Sequence, residues 1–184
     1  MATGLNVRGA LCLGDESSTS HGIMIIDNNR YSPVKIVNYE NYKIVQASCW
    51  STTSSGCCSF TIFLAKEGDV YSCGEVLGRP TDSTFRHTPG KVQGLGRVRS
   101  IGGGSYIAFA DDFNNVLFSW EEGDDEASIN TQTRDYEIGS VFAGASHFFI
   151  QTPQSAAISA LDNSLLKVNG TVENIAESSF TFEI

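Results

Sequence analysis

No stretch of this chain approaches the roughly 20 consecutive apolar residues a membrane-spanning helix needs. No basic segment followed by an apolar run opens it, so no secretory leader is read there. Proline is scarce, with four in 184 residues, and no long stretch repeats its apolar residues at helical spacing. Cysteine is sparse and lopsided: Cys12, Cys49, Cys57, Cys58 and Cys73 are odd in number and none follows residue 73. A disulfide framework is not laid out that way, so the expectation is reduced thiols in an intracellular compartment, cytoplasmic or nuclear. Basic side chains are nearly missing from the second half. Residues 100–184 hold two against thirteen acidic ones, a net of −11, whereas residues 1–99 hold ten against eight, a net of +2. An acidic half repels phosphate backbones, which argues against direct nucleic-acid binding. It would attract a basic protein, or the first half of a second copy.

What the chain does have is a globular composition, 41% hydrophobic and 18% charged, with 18 glycines. Together with abundant Ser and Thr this suits an all-β chain rich in turns. The chain also repeats itself. Ile44-Val45-Gln46-Ala47, Val98-Arg99-Ser100-Ile101, Ile138-Gly139-Ser140-Val141 and Val172-Glu173-Asn174-Ile175 each set an aliphatic residue three positions before Ala, Ile or Val. Small residues follow in each copy, and then an apolar strand: Phe60–Leu64, Tyr106–Ala110, His147–Ile150 and Phe180–Ile184. Ser32-Pro33-Val34-Lys35-Ile36 returns as Thr88-Pro89-Gly90-Lys91-Val92. Lys66-Glu67-Gly68-Asp69 and Asp112-Phe113-Asn114-Asn115 lie between paired strands, with Gly and Asn available for the positive φ of tight hairpins. Each repeat therefore reads as one small antiparallel sheet, which must stack on its neighbours to bury both faces.

Gly4-Leu5-Asn6-Val7-Arg8-Gly9-Ala10-Leu11-Cys12-Leu13-Gly14-Asp15 resembles the Gly-x-Asn-x-x-Gly-Gln-Leu-Gly-Leu-Gly-Asp segment of the regulator-of-chromosome-condensation (RCC) repeat family. Gly68-Asp69-Val70-Tyr71-Ser72-Cys73-Gly74 resembles that family's Gly-x-Val-Tyr-x-Trp-Gly strand, and Gly144-Ala145-Ser146-His147 its Gly-x-x-His. Glu75-Val76-Leu77-Gly78 departs from the expected Asn-x-x-Gly, and Asn115–Trp120 has lost both glycines. The resemblance implies an all-β, propeller-type array of about four blades. It spans residues 1–184 as one domain, with units near 1–43, 44–97, 98–137 and 138–171, and with 172–184 completing the first blade. Since the family's propeller usually has about seven blades, three closures are open: a compact ring within one chain, which is favoured, a ring of two chains, or an open arc. The implied function is a scaffold that recognises a protein partner through blade loops, not an enzyme. The alternative it implies is guanine-nucleotide exchange on a Ran-type small GTPase.

The candidate partner-binding residues are Arg79, Arg86 and His87 from a basic stretch that continues through Lys91, Arg97 and Arg99, and Glu121, Glu122, Asp124, Asp125 and Glu126 from the densest charge run. They lie in the loops 75–88 and 121–136, and loops on a rigid scaffold are where recognition is carried. No cofactor or metal is expected. Gly102-Gly103-Gly104 lacks the Lys-Ser or Lys-Thr and the helix of a phosphate loop, and reads as close backbone packing near the axis. Cys57-Cys58 lacks zinc spacing, and the acidic run lacks the alternation of a calcium loop. Ser146-His147, adjacent in a strand, point to opposite faces and cannot act together as nucleophile and base. Trp50, Trp120, Tyr71, Phe109, Phe148 and Phe182 are expected in the core between blades.

Overall fold

The structure is a computed structural model that describes residues 1–4, 6, 8–14, 19–20, 23–24, 30–36, 42–50, 59–80, 86–104, 107–130, 138–143, 147–151, 156–160 and 165–168. Among these residues every regular element is a strand. Three four-stranded antiparallel meanders follow one another: β5 (Ile44–Trp50), β6 (Phe60–Ala65), β7 (Val70–Gly74) and β8 (Gly90–Lys91); then β9 (Val98–Gly103), β10 (Ile107–Asp112), β11 (Leu117–Glu121) and β12 (Ser128–Ile129); then β13 (Ser140–Ala143), β14 (His147–Gln151), β15 (Ala156–Ala160) and β16 (Leu165–Val168). Ahead of them, β1 (Ala2–Gly4) pairs with β4 (Arg30–Val34), and β2 (Thr19–Ser20) with β3 (Ile23–Met24). The all-β expectation is met. The segments 144–146 and 169–184 lie outside the described residues, and with them the expected terminal pairing.

The apolar runs at Phe60–Leu64, Tyr106–Ala110 and His147–Ile150 fall on the second strand of each meander, β6, β10 and β14. A second strand has a neighbour strand on each side and, in a stack, a sheet against each face, so its residues need not alternate. β6 shows the division. Phe60, Ile62 and Leu64 join Val70, Ile101, Ala108, Ala110 and Trp120 in one core between the first and second meanders. Phe63 and Ala65, on its other face, join Cys12, Ile36, Tyr71 and Cys73 beneath the N-terminal segment. A third core, of Phe109, Leu117, Ile138, Val141 and Ile150, seals the second meander to the third. The aromatic residues Trp120, Phe109 and Tyr71 are buried as expected, and Trp50 packs on the first core. Phe182 lies outside the described residues.

The turns follow their residues. Gly68 N donates to Ala65 O at 2.9 Å in one hairpin, and Asn115 N to Asp112 O at 3.2 Å in the other. Asp112 Oδ1 fixes the second turn further by accepting Asn114 N at 2.8 Å and Val116 N at 2.9 Å. The glycine run holds no helix: Gly102 and Gly103 end β9, and a Cβ at Gly103 would lie 2.9 Å from the Phe60 ring, so only glycine allows this approach between sheets.

Stacking also leaves backbone groups of β9 buried on the side away from its own sheet, and a buried amide without a partner is costly. Side chains of β5 take them up. Gln46 Nε2 donates to Ile101 O at 2.9 Å, Ile101 N donates to Gln46 Oε1 at 3.1 Å, and Gly103 N donates to Ser48 Oγ at 3.0 Å. The other joint uses charge. Arg99 donates to Asp111 Oδ2 through Nε at 2.8 Å and Nη2 at 2.6 Å, and Nη2 also donates to the Ile138 carbonyl that opens the third meander.

The expectation of reduced cysteines is corrected here. Cys12 and Cys73 form a disulfide, with Cα atoms 5.8 Å apart, a separation in the ordinary disulfide range. A spacing of 61 residues hides such a pair from any reading of local cysteine pattern. Cys49 is free and exposed, and Cys57 and Cys58 lie outside the described residues. Beside the disulfide, the Tyr71 pKa is pushed up to about 12 by burial, reinforced by Tyr42, whose ring lies 4.3 Å away, and by Asp69 and Glu67. A raised tyrosine pKa means that the folded state holds its proton where the unfolded chain has lost it. Stability from this group is complete below pH about 10 and is lost as pH rises towards about 12. Denaturation midpoints are expected to fall across that window, and Tyr71→Phe to flatten the fall; an unaltered slope in the variant would refute the assignment.

Candidate functional site

The site grows from two loops that leave neighbouring sheets. The first follows β7. Gly74 N donates to Arg86 O at 2.8 Å, and Glu75 exchanges two bonds with Ser59: Glu75 N to Ser59 O at 3.1 Å and Ser59 N to Glu75 Oε2 at 3.1 Å. Glu75 is one of the departures from the family motif, and its second carboxylate oxygen lies 3.2 Å from Arg8 Nε. Val76 and Leu77 are buried, which draws the loop down on its sheet. The Arg79 Nη2 donates to Thr88 O at 3.1 Å, and burial pulls the Arg79 pKa below its ordinary value.

The second loop follows β11. Asp124 N donates to Glu121 O at 3.3 Å, and Glu121 N donates to Asp124 Oδ2 at 2.8 Å. Gly123 supplies the positive φ, 90°, that this tight turn demands at its third position. Glu121, Glu122, Asp124, Asp125 and Glu126 are all exposed, while Ala127 is buried and anchors the far end, its N donating to Gln93 O at 3.0 Å. The turn is thus a built projection carrying five carboxylates.

Between the two loops lies a groove of about 270 Å³, lined by Gly74, Glu75, Leu77, Arg79 and Arg86 on one bank and Glu122, Gly123, Asp124 and Asp125 on the other. It brings together five of the eight residues singled out from sequence. Glu121 and Glu126 ride on the same turn but do not line the groove. His87 stands behind Arg86: its carbonyl accepts Gly14 N at 3.0 Å, and its Nδ1 is buried without a hydrogen-bond partner among the described residues.

The longer basic stretch is not one surface. Lys91 pairs with Asp69 at 2.7 Å, Arg97 lies 4.9 Å over the Phe113 ring, and Arg99 is consumed by Asp111. Gly74, Glu75, Leu77 and Gly123 are the lining residues outside the set of candidates singled out from sequence. The family motif marks Glu75 only as a departure, and Leu77 looks like ordinary core. Among the described residues, no three His, Cys, Asp or Glu side chains converge as metal ligands, and no helix is long and apolar enough to cross a membrane.

No family model and no curated protein matches the sequence. Solved structures do. The chain is similar to human WBSCR16, with 17% identity and a TM-score of 0.65 over 86% of this chain and 42% of that one. It is similar to Prp20p from Saccharomyces cerevisiae, whose structure was reported with its binding properties to Gsp1p and histones, with 20% identity and a TM-score of 0.55 over 77% of this chain and 36% of that one. It is similar to the structure of Kap60 bound to yeast RCC1 (Prp20), with 21% identity and a TM-score of 0.60 over 80% of this chain and 37% of the matched one. The chain spans about two fifths of the length of these matched structures.

Proposed function

We propose, with an RCC1-type β-propeller fold as the premise, that this chain is a binding module that docks a lysine- and arginine-rich segment of a protein partner on the Glu121–Glu126 turn and the groove beside it. One observation carries the reading: the described parts of two loops from successive sheets, held by hydrogen bonds at Glu75 and Glu121, meet in a groove whose outer bank carries Glu122, Asp124 and Asp125. Preformed loops lose little entropy on binding. A surface of one sign also speeds encounter with a partner of the other. Prp20p, a structural relative, is described by its binding to Gsp1p and to histones, and histones are basic proteins. The module has no catalytic role in this reading, acts inside the cell, and avoids nucleic acid because residues 100–184 carry a net charge of −11.

The test is a calorimetric titration with an unstructured Lys/Arg-rich peptide. Replacing Glu121, Glu122, Asp124, Asp125 and Glu126 with Gln or Asn should weaken binding on the order of tenfold or more and flatten its salt dependence. Equal affinity and equal salt slope would discard the reading. The family resemblance supports a second reading, exchange on a Ran-type small GTPase. Faster release of mant-GDP from such a GTPase would favour it, and no acceleration at high protein concentration would leave the docking module.

A further inference from the structure

We propose that the Cys12–Cys73 pair is a thiol–disulfide latch that sets the shape of the groove; this rests on the docking reading above. The pair begins as two departures from one repeat motif. Cys12 stands where the family segment has Gly, and Cys73 where the family strand has Trp. Both departures are to cysteine, and the fold sets them face to face, each fully buried.

Either redox state is accommodated. As a disulfide, the sulfurs carry no hydrogen and need no acceptor. In the bonded form the Ala10 carbonyl, which accepts Thr61 Oγ1 at 2.7 Å, lies 3.7 Å from Cys12 Sγ and 3.9 Å from Cys73 Sγ, and the Thr61 carbonyl lies 3.9 Å from Cys73 Sγ. Each sulfur thus has a carbonyl oxygen near it that a thiol formed on reduction could use, and a thiol is a weak donor whose burial costs little. Inside a cell, disulfides are mostly transient and redox-sensing.

The pair is coupled at two points to the groove bank that follows β7. Cys73 is followed in the chain by Gly74 and Glu75, which line the groove. Cys12 lies on the turn whose Gly14 N holds His87 O at 3.0 Å, next to Arg86 of the same lining, and whose Arg8 holds Glu75 at 3.2 Å. Oxidised, the turn is tied covalently to β7, and these two contacts are held in register. Reduced, the turn rests on hydrogen bonds alone, and Glu75 and Arg86 gain freedom. The chemistry is thiol–disulfide exchange. One thiolate attacks a low-molecular-weight disulfide and releases one thiol. The second thiolate then attacks the mixed disulfide and releases the other, so that two protein thiols and one disulfide become one protein disulfide and two small thiols. Because both sulfurs are buried, exchange waits on opening of the turn.

The experiment compares the full chain equilibrated with oxidised glutathione and with dithiothreitol. Peptide mapping should find the Cys12–Cys73 link in the first and not in the second. Amide hydrogen exchange at Cys12, Gly14 and Gly74 should be slower in the oxidised form by at least tenfold. A Cys12→Ala/Cys73→Ala variant should exchange at the reduced rate in both conditions. The Lys/Arg-rich peptide should bind the two forms with different affinity. Absence of the link, equal amide protection, or equal peptide affinity despite shifted protection would each overturn the latch as a control on the groove. A peptide that binds neither form while protection still shifts would instead overturn the docking reading.

Discussion

Replacing Arg99 with alanine is expected to cost about 3 kcal/mol or more of folding stability. Asp111 is fully buried, with Arg99 and Ser100 donating to its two oxygens. Burial already raises the Asp111 pKa, and the hydrogen bonds from Ser100 and Arg99 hold that rise back. Without Arg99 the rise must grow. A raised carboxyl pKa means stability that is complete at pH values below the unfolded pKa and lost as pH climbs through the folded one. The damage in Arg99→Ala should therefore be greater at pH 8 than at pH 4, read from urea midpoints. The loss also releases the Ile138 carbonyl, so the second and third meanders should loosen together. An Arg99→Leu/Asp111→Leu double variant should lie much closer to the parent, since it leaves no stranded charge. A double variant as unstable as Arg99→Ala would show that the pair itself, not an orphaned carboxylate, is what matters.

Reduction of Cys12–Cys73 should lower stability by up to about 4 kcal/mol, the chain-entropy value for a closed loop of this length. The pair joins residues 61 apart, so the reduced unfolded chain gains much freedom that the cross-link denies it. The measure is the shift in denaturant midpoint on adding dithiothreitol, with the Cys12→Ala/Cys73→Ala variant as a reference that should not respond. The first core, around Phe60 and Trp120, does not include the disulfide. Near-ultraviolet signals from Trp120 should persist in the reduced protein at low denaturant. A midpoint indifferent to reductant would show that the bond adds nothing to the folded state's advantage.

The meanders were legible in the sequence because a strand buried on both faces is largely apolar, and Phe60–Leu64 is such a run, broken only by Thr61. The hairpins were legible because Gly68 and Asn115 adopt a backbone that few residues tolerate. The groove was legible only as two charged loops. That they face each other depends on how one sheet stacks on the next, which local pattern does not encode. Asp111 was not legible at all: beside Asp112 it looks like a solvated hairpin shoulder, and only the stack shows that Arg99 reaches it. The disulfide left a trace only where the repeat motif was broken twice.

The joint made by Gln46 and Ser48 has a wider consequence. Those side chains read the amide and carbonyl of Ile101 and the amide of Gly103, and no side chain beyond Gln46 and Ser48 takes part in these bonds. The seam is therefore part main-chain hydrogen bonding, indifferent to the side chain it meets, and part core, where the Ile101 side chain is buried. Successive units fastened this way can drift apart in composition and length while keeping their mutual pose.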